Sequence, residues 1–179
     1  MKNHPRRLSD RIADPSFLDG IESLSTEDLR SAREELEELE AEISYTRRLL
    51  QGKLDILRDE LERRAAGGDA DVRSLVERLP QILGDGAPGT GGRHLRILVP
   101  RNAERQRREV ERVASDTTLA HIDELSFTKL NHIMEGLASA ETQASGRRRE
   151  IQEVSDRLRA ELVRRYREGR EDPTQLLST

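Results

Sequence analysis

The chain has 179 residues, 34% of them hydrophobic and 37% charged, with a formal net charge of −4. That is too little apolar material for a thick globular core, and it fits a thin core between long helices. The acidic balance argues against a broad phosphate-binding surface for duplex nucleic acid. The absence of cysteine excludes a disulfide framework, a thiolate metal site and a cysteine nucleophile.

Phe, Tyr and Trp make up only 2% of the chain, while Leu, Glu and Arg are abundant, which predicts an all-α protein of amphipathic helices. No 18-residue apolar run is present, and the basic start MKNHPRRLSDRIADPSF lacks the apolar stretch of a secretory signal. The expectation is a soluble, cytoplasmic protein without a membrane partner. Among 31 basic residues only Lys2, Lys53 and Lys129 are lysines, a bias in keeping with a GC-rich genome.

In chain order, residues 1–24 read as a flexible N-terminal segment. A long helix is expected over 25–66, with Ser25 as cap, Asp28 three residues on, and Leu24 and Leu29 placed as a hydrophobic staple. Leu29, Leu36, Ile43, Leu50 and Leu57 then recur every seven residues, with Leu39, Leu54 and Leu61 widening the stripe, and the helix should end near AAGGD. Residues 67–125 form a connector. In it DVRSLVERLPQIL reads as a short amphipathic helix, GDGAPGTGG as a flexible loop, HLRILVP as extended, NAERQRREVERVA as a helix and DTTLAHIDEL as an irregular link. A second long helix over 126–170 opens on Ser126 between Leu125 and Leu130, carries Leu130, Leu137, Ala144, Ile151 and Leu158, and leaves 171–179 as a tail.

Sliding residues 25–64 over 126–165 without a gap gives identity at 16 of 40 positions, so the chain is internally duplicated. Residues 27–42 hold eight acids against two bases, and residues 157–170 hold six bases against two acids. Antiparallel pairing would bring these ends together, giving a two-helix coiled-coil hairpin with short helices and loops in its connector.

Within the duplication one polar set stands out. Glu40, Ser44, Arg47, Gln51 and Asp55 return as Glu141, Ser145, Arg148, Gln152 and Asp156, although Tyr45 has become Gly146, Leu49 has become Glu150 and Leu54 has become Ser155. On a helix the five fall within an arc of roughly 80° beside the Leu stripe. With the motifs centred on each other, a pseudo-twofold axis would relate ten side chains, a surface suited to a symmetric ligand. Arg offers a planar fork to phosphate or to the O6 and N7 edge of guanine, carboxylates accept from guanine N1 and N2, and Ser and Gln complete the hydrogen bonding. A symmetric cyclic dinucleotide meets these needs better than ATP. The same residues would equally serve a solvated helix face with ion pairs, or a structural coiled-coil scaffold without a small-molecule ligand. A nucleic-acid-binding coiled coil is disfavoured by the net charge.

The spacing E-x3-S-x2-R-x3-Q-x3-D, present twice on paired helices, resembles the cyclic di-GMP signature of the RsiG family of actinobacterial anti-sigma factors, and both copies match at every position. The resemblance implies an antiparallel coiled coil that binds a dimer of cyclic di-GMP and, once loaded, holds a sporulation sigma factor of the WhiG type away from core RNA polymerase, one chain per sigma factor. Arg47 and Arg148 would then contact guanine or phosphate, Asp55 and Asp156 the guanine Watson–Crick edge, and Glu40, Ser44, Gln51, Glu141, Ser145 and Gln152 would complete the shell.

Elsewhere, His4, His94, His121 and His132 have no metal-ligand spacing, and GDGAPGTGG lacks the ending of a phosphate loop. RNAERQRREVER is basic by five to three and could face nucleic acid, an acidic sigma surface or only solvent. No nucleophile triad or metal cluster emerges, and no enzymatic activity is expected.

Overall fold

The computed structural model of the chain describes residues 20–67, 76–77, 79–80, 82 and 100–169, and among these it is helical with no strand. A 3-10 turn, Ile21–Ser23, leads into α1, Thr26–Ala65. The connector holds α2, Ala103–Val113, α3, Asp116–Ala120, and a second 3-10 turn, Ile122–Glu124, before α4, Phe127–Arg167. The long helices α1 and α4 pack against each other, as the Leu periodicity predicts. Readings of residues 1–19, of GDGAPGTGG, of HLRILVP before Pro100 and of 170–179 lie outside the described residues, as do His4 and His94. Of DVRSLVERLPQIL, residues Val76, Glu77, Leu79, Pro80 and Ile82 are described and helical.

Two compact units each contain stretches of both long helices. The first takes the chain up to Ala41 and from Gly146 onward. Its apolar interior is Ile21, Leu29, Ala32, Leu36, Ile151, Val154, Leu158 and Leu162, all buried. The helices run antiparallel in it, since Arg30 near the start of α1 donates to the Tyr166 hydroxyl near the end of α4 at 2.7 Å. The second unit is Glu42–Ser145. Its core joins Leu50, Leu54 and Leu57 of α1 to Val110 and Ala114 of the connector and to Leu130, Ile133 and Leu137 of α4, with Ile82 packed against it.

The duplication is written in these interiors. Buried Ile21, Leu29, Leu36, Leu50 and Leu57 correspond, 101 residues on, to buried Ile122, Leu130, Leu137, Ile151 and Leu158. Each such side chain contributes about 1.5–3 kcal/mol of transfer free energy. The caps are duplicated as well: Ser25 Oγ accepts the Asp28 N–H at 3.0 Å, and Ser126 Oγ accepts the Lys129 N–H at 3.2 Å. Beyond their last turns both helices stop at a glycine of positive φ, Gly67 at 74° and Gly169 at 68°, a conformation that side chains with a Cβ resist.

A duplicated clamp closes each unit. In the second, Glu60 is only 2% exposed and receives Arg63 Nη2 at 2.6 Å and Arg64 Nε at 2.5 Å. The Arg64 fork then donates to the carbonyls of Ile122, Asp123 and Leu125, the turn that precedes α4. In the first unit Glu161 holds Arg164 and Arg165, and Arg165 donates to the carbonyls of Ile21 and Glu22 and to the Thr26 hydroxyl. Each clamp adds side-chain donors to the carbonyls of a 3-10 turn, whose first carbonyl, Ile21 or Ile122, also accepts the N–H of Leu24 or Leu125.

The stretch expected to be irregular, DTTLAHIDEL, is therefore ordered. Ser115 Oγ accepts the Thr118 N–H at 3.0 Å and caps α3, and Ile122–Glu124 repeats the turn Ile21–Ser23. Replacing Arg64 with Ala removes the guanidinium from the Asp123 and Leu125 carbonyls, leaves Ile122 only its backbone donor, and weakens the pairing of a buried carboxylate. It should cost about 2–4 kcal/mol, read as a lower urea midpoint of the full chain. An unchanged midpoint would show that the clamp adds nothing.

Candidate functional site

The repeated polar residues gather into two clusters, one in each unit, and each draws its Glu from one repeat and its Arg and Gln from the other. In the second unit a single oxygen, Glu141 Oε1, receives Arg47 Nε and Nη2 at 3.3 Å, Gln51 Nε2 at 3.1 Å and Ser145 Oγ at 3.0 Å. Burial alone would raise the Glu141 carboxyl, but the Ser145 hydroxyl, the Arg47 guanidinium and the Gln51 amide outweigh it and hold the group below the usual carboxylate range. Both ends of the pair remain partly open, with side-chain exposures of 25% for Arg47 and 21% for Glu141.

In the first unit Glu40 Oε1 accepts from Gln152 Nε2 at 2.9 Å and is ion-paired with Arg148 Nη2 at 3.4 Å. The Arg148 Nε is buried and has no hydrogen-bond partner. This cluster thus keeps an unmet donor that its counterpart, Arg47 Nε, has already placed on Glu141.

Three motif residues stay outside the clusters. Asp55 accepts from Arg58, three residues along its own helix, at 3.0 Å. Asp156 is exposed and has no hydrogen-bond or ion-pair partner among the described residues. Ser44 is half-buried, and its carbonyl, rather than its hydroxyl, accepts from Arg48.

The connector helix leaves this edge of α1 uncovered in the second unit. It docks through Glu42, which accepts from Asn102 at 2.8 Å and Gln106 at 3.0 Å, and through Lys53, whose Nζ reaches Asp116 at 2.6 Å and Glu111 at 3.3 Å. Glu42 and Lys53 lie two residues from Ser44 and Gln51, roughly 160° around the helix. Docking and motif therefore use opposite faces.

The Lys53 cluster is a feature the sequence reading missed. Lys53 is 8% exposed, and a recess of about 230 Å³ beside it is lined by Tyr45, Leu49, Arg107 and Glu111 among others. Hydrogen bonds from Lys53 and Arg107 pull the Asp116 carboxyl down to about 2. The available signal was the repeat itself, because a Lys stands where the second copy has Val154. The double Arg pairs at 63–64 and 164–165 were visible as identities, but their carbonyl partners were not.

His121 is exposed and its pKa is raised, first by a hydrogen bond to the Thr117 carbonyl and then by Glu124. Among the described residues no group of three His, Asp or Glu is placed to hold a metal ion, and no helix is long and apolar enough to cross a membrane.

A duplicated pair of amphipathic helices, carrying in each unit a partly open cluster of carboxylate and guanidinium, defines an all-helical interaction module. Residues 15–83 and 116–179 match the model of the family described as RsiG-like, and the chain belongs to that family. Membership points to a regulatory, anti-sigma role with a sigma factor as partner rather than to catalysis. No curated protein matches the chain.

Several carboxyls are depressed in the folded chain: Glu161, from 4.5 to about 2 by Arg164 and Arg165, Asp116, from 3.8 to about 2, and in the same direction Glu141 and Glu60. A depressed group adds stability that is fully present above its unfolded value and is lost as pH falls through its folded one. Urea midpoints should hold from pH 7 to about 5 and fall steadily toward about 2. Glu161→Gln should be weaker at pH 7 and lose less over that acid range, and a parallel decline in both proteins would refute the assignment.

Proposed function

We propose that the chain is a cyclic di-GMP-dependent anti-sigma factor which, when loaded, withholds a sporulation sigma factor of the WhiG type from RNA polymerase. The observation that carries this reading is the doubled five-residue motif, whose Arg, Gln and Glu meet across the helix pair once in each unit. Two clusters built from the same residue types suit a ligand delivered as two equal parts, such as a dimer of cyclic di-GMP.

The residues present suit that ligand. Arg148 Nε is a buried donor in need of an acceptor, and a phosphate oxygen or the O6 and N7 edge of guanine supplies one. Asp156 and Asp55, the last residue of each motif copy, offer carboxylate acceptors that suit guanine N1 and N2 hydrogens. Glu141 and Glu40 hold the two guanidinium groups beside the helix seam in advance, which lowers the ordering cost of binding. Bound cyclic di-GMP supplies negative charge and guanine edges that a second protein can also grip. If the motif arginines and the sigma factor share that ligand, nucleotide and sigma strengthen each other's binding.

The rival reading is a coiled-coil scaffold, and it is favoured by the fact that Arg47–Glu141 and Arg148–Glu40 already join the two helices. Partly exposed pairs of this kind contribute only about 0–1 kcal/mol, whereas the buried Glu60 and Glu161 clamps do the tethering. Structural need alone therefore gives weak reason to keep all five positions twice.

Cyclic di-GMP at a hundredfold excess over its Kd should stabilise the chain by ~2.7 kcal/mol, read by thermal denaturation. Arg47→Ala with Arg148→Ala should abolish the calorimetric signal and nucleotide-dependent capture of the sigma factor, with helicity by circular dichroism almost unchanged. Unaltered affinity in the double variant would remove the motif from the site, and no thermal response in the unmodified chain would favour the scaffold.

A further inference from the structure

The family match leaves residues 84–115 uncovered, and α2 lies within that stretch. Its inner face is accounted for, because Val110 is buried and Gln106 and Glu111 bind α1. Its outer face is a row of arginines. Arg105, Arg108 and Arg112 are exposed, fall within an arc of roughly 60° and span about 10 Å, and exposed Arg101 precedes them in the turn before the helix. Arg105 pairs with Glu109, one turn along its own helix, at 3.3 Å. Arg108 and Arg112 have no ion-pair partner among the described residues. Arg107, by contrast, is turned to Asp116 and belongs to the inner cluster.

A helix anchored this firmly by its polar inner face has a defined outer face, and unpaired cations on it are poised for an acidic surface. Its chemistry separates two kinds of polyanion. Exposed Glu104 and Glu109 flank the row, and the chain as a whole carries −4. Acids at the rim repel a continuous phosphate backbone, yet they suit a protein segment with discrete carboxylates and a mixed rim, as in charge-patterned helix pairing. We propose that the outer face of α2 is a docking surface for an acidic segment of the protein partner, separate from the nucleotide edge on the far side of α1. This rests on the reading that the chain acts by binding another protein.

The test uses the full chain and its R108E/R112E and R108K/R112K variants. Three probes are offered: a synthetic Glu-rich helical peptide, duplex DNA, and a WhiG-type sigma factor with cyclic di-GMP. The unmodified chain should bind the peptide with an affinity that falls as salt rises. R108E/R112E should weaken both peptide and sigma binding roughly tenfold or more, and R108K/R112K should retain most of it. Nucleotide affinity and helicity should be the same in all three proteins.

Peptide binding that is equal in the unmodified chain and R108E/R112E would overturn the proposal, and so would sigma binding unaffected by the charge reversal. DNA bound more tightly than peptide, and lost in R108E/R112E, would assign the row to nucleic acid instead. Self-association in sedimentation that the reversal abolishes would assign it to a second copy. Charge-dependent peptide binding without sigma binding in any form would sink the anti-sigma reading and leave this surface standing.

Discussion

A carboxylate that collects guanidinium donors across an antiparallel helix pair is the interaction on which this molecule depends, and burial decides what each instance does. Glu60 and Glu161 are buried, and through Arg64 and Arg165 they tie the end of one long helix to the turn that begins the other. Loss of a partner there strands a charge in a dry place. Glu141 and Glu40 use the same chemistry at a half-open edge, where water screens the pair and little stability is at stake. What such a pair can do at low energetic cost is keep an arginine at the seam while leaving it partly accessible.

The connector helix explains where the two repeats part company. Tyr45, Leu49 and Lys53 of the first copy line the recess beside α2, and their equivalents are Gly146, Glu150 and Val154. Among the described residues only the first copy has a connector helix to receive. The described part of the first unit holds no such third helix, so a short residue and a carboxylate are tolerated at 146 and 150, both outside its buried core. The motif positions, on the opposite face of α1 from α2, were free of that demand.

The long helices were legible in the sequence because a Leu every seven residues, a Ser cap and a terminal glycine are local signals, and the antiparallel pairing followed from duplication and charge. The turn Ile122–Glu124 was not, since three residues carry no period, and only its likeness to Ile21–Ser23 could have exposed it. The attachment of α2 was hidden for a different reason: apart from Val110 it rests on Glu42, Thr46 and Lys53, and such polar contacts leave no hydrophobic stripe. At the candidate site the ten positions could be read from spacing, because one helix sets their common face. Their partners could not be read, since the register between two helices is absent from either one alone. Hence the reciprocal pairing of Arg47 with Glu141 and of Arg148 with Glu40, and the diversion of Asp55 to Arg58, came only from the structure.

That reciprocity bears on how the protein tolerates mutation. Each cluster is a hybrid, so a substitution at a clustered position does not stay confined to the repeat in which it arises: a change at Glu40 is felt by Arg148, and one at Arg47 by Glu141. A spare copy usually shelters drift, but here neither repeat can be inherited as a backup for the other. The two must vary together, and damage to one is damage to both.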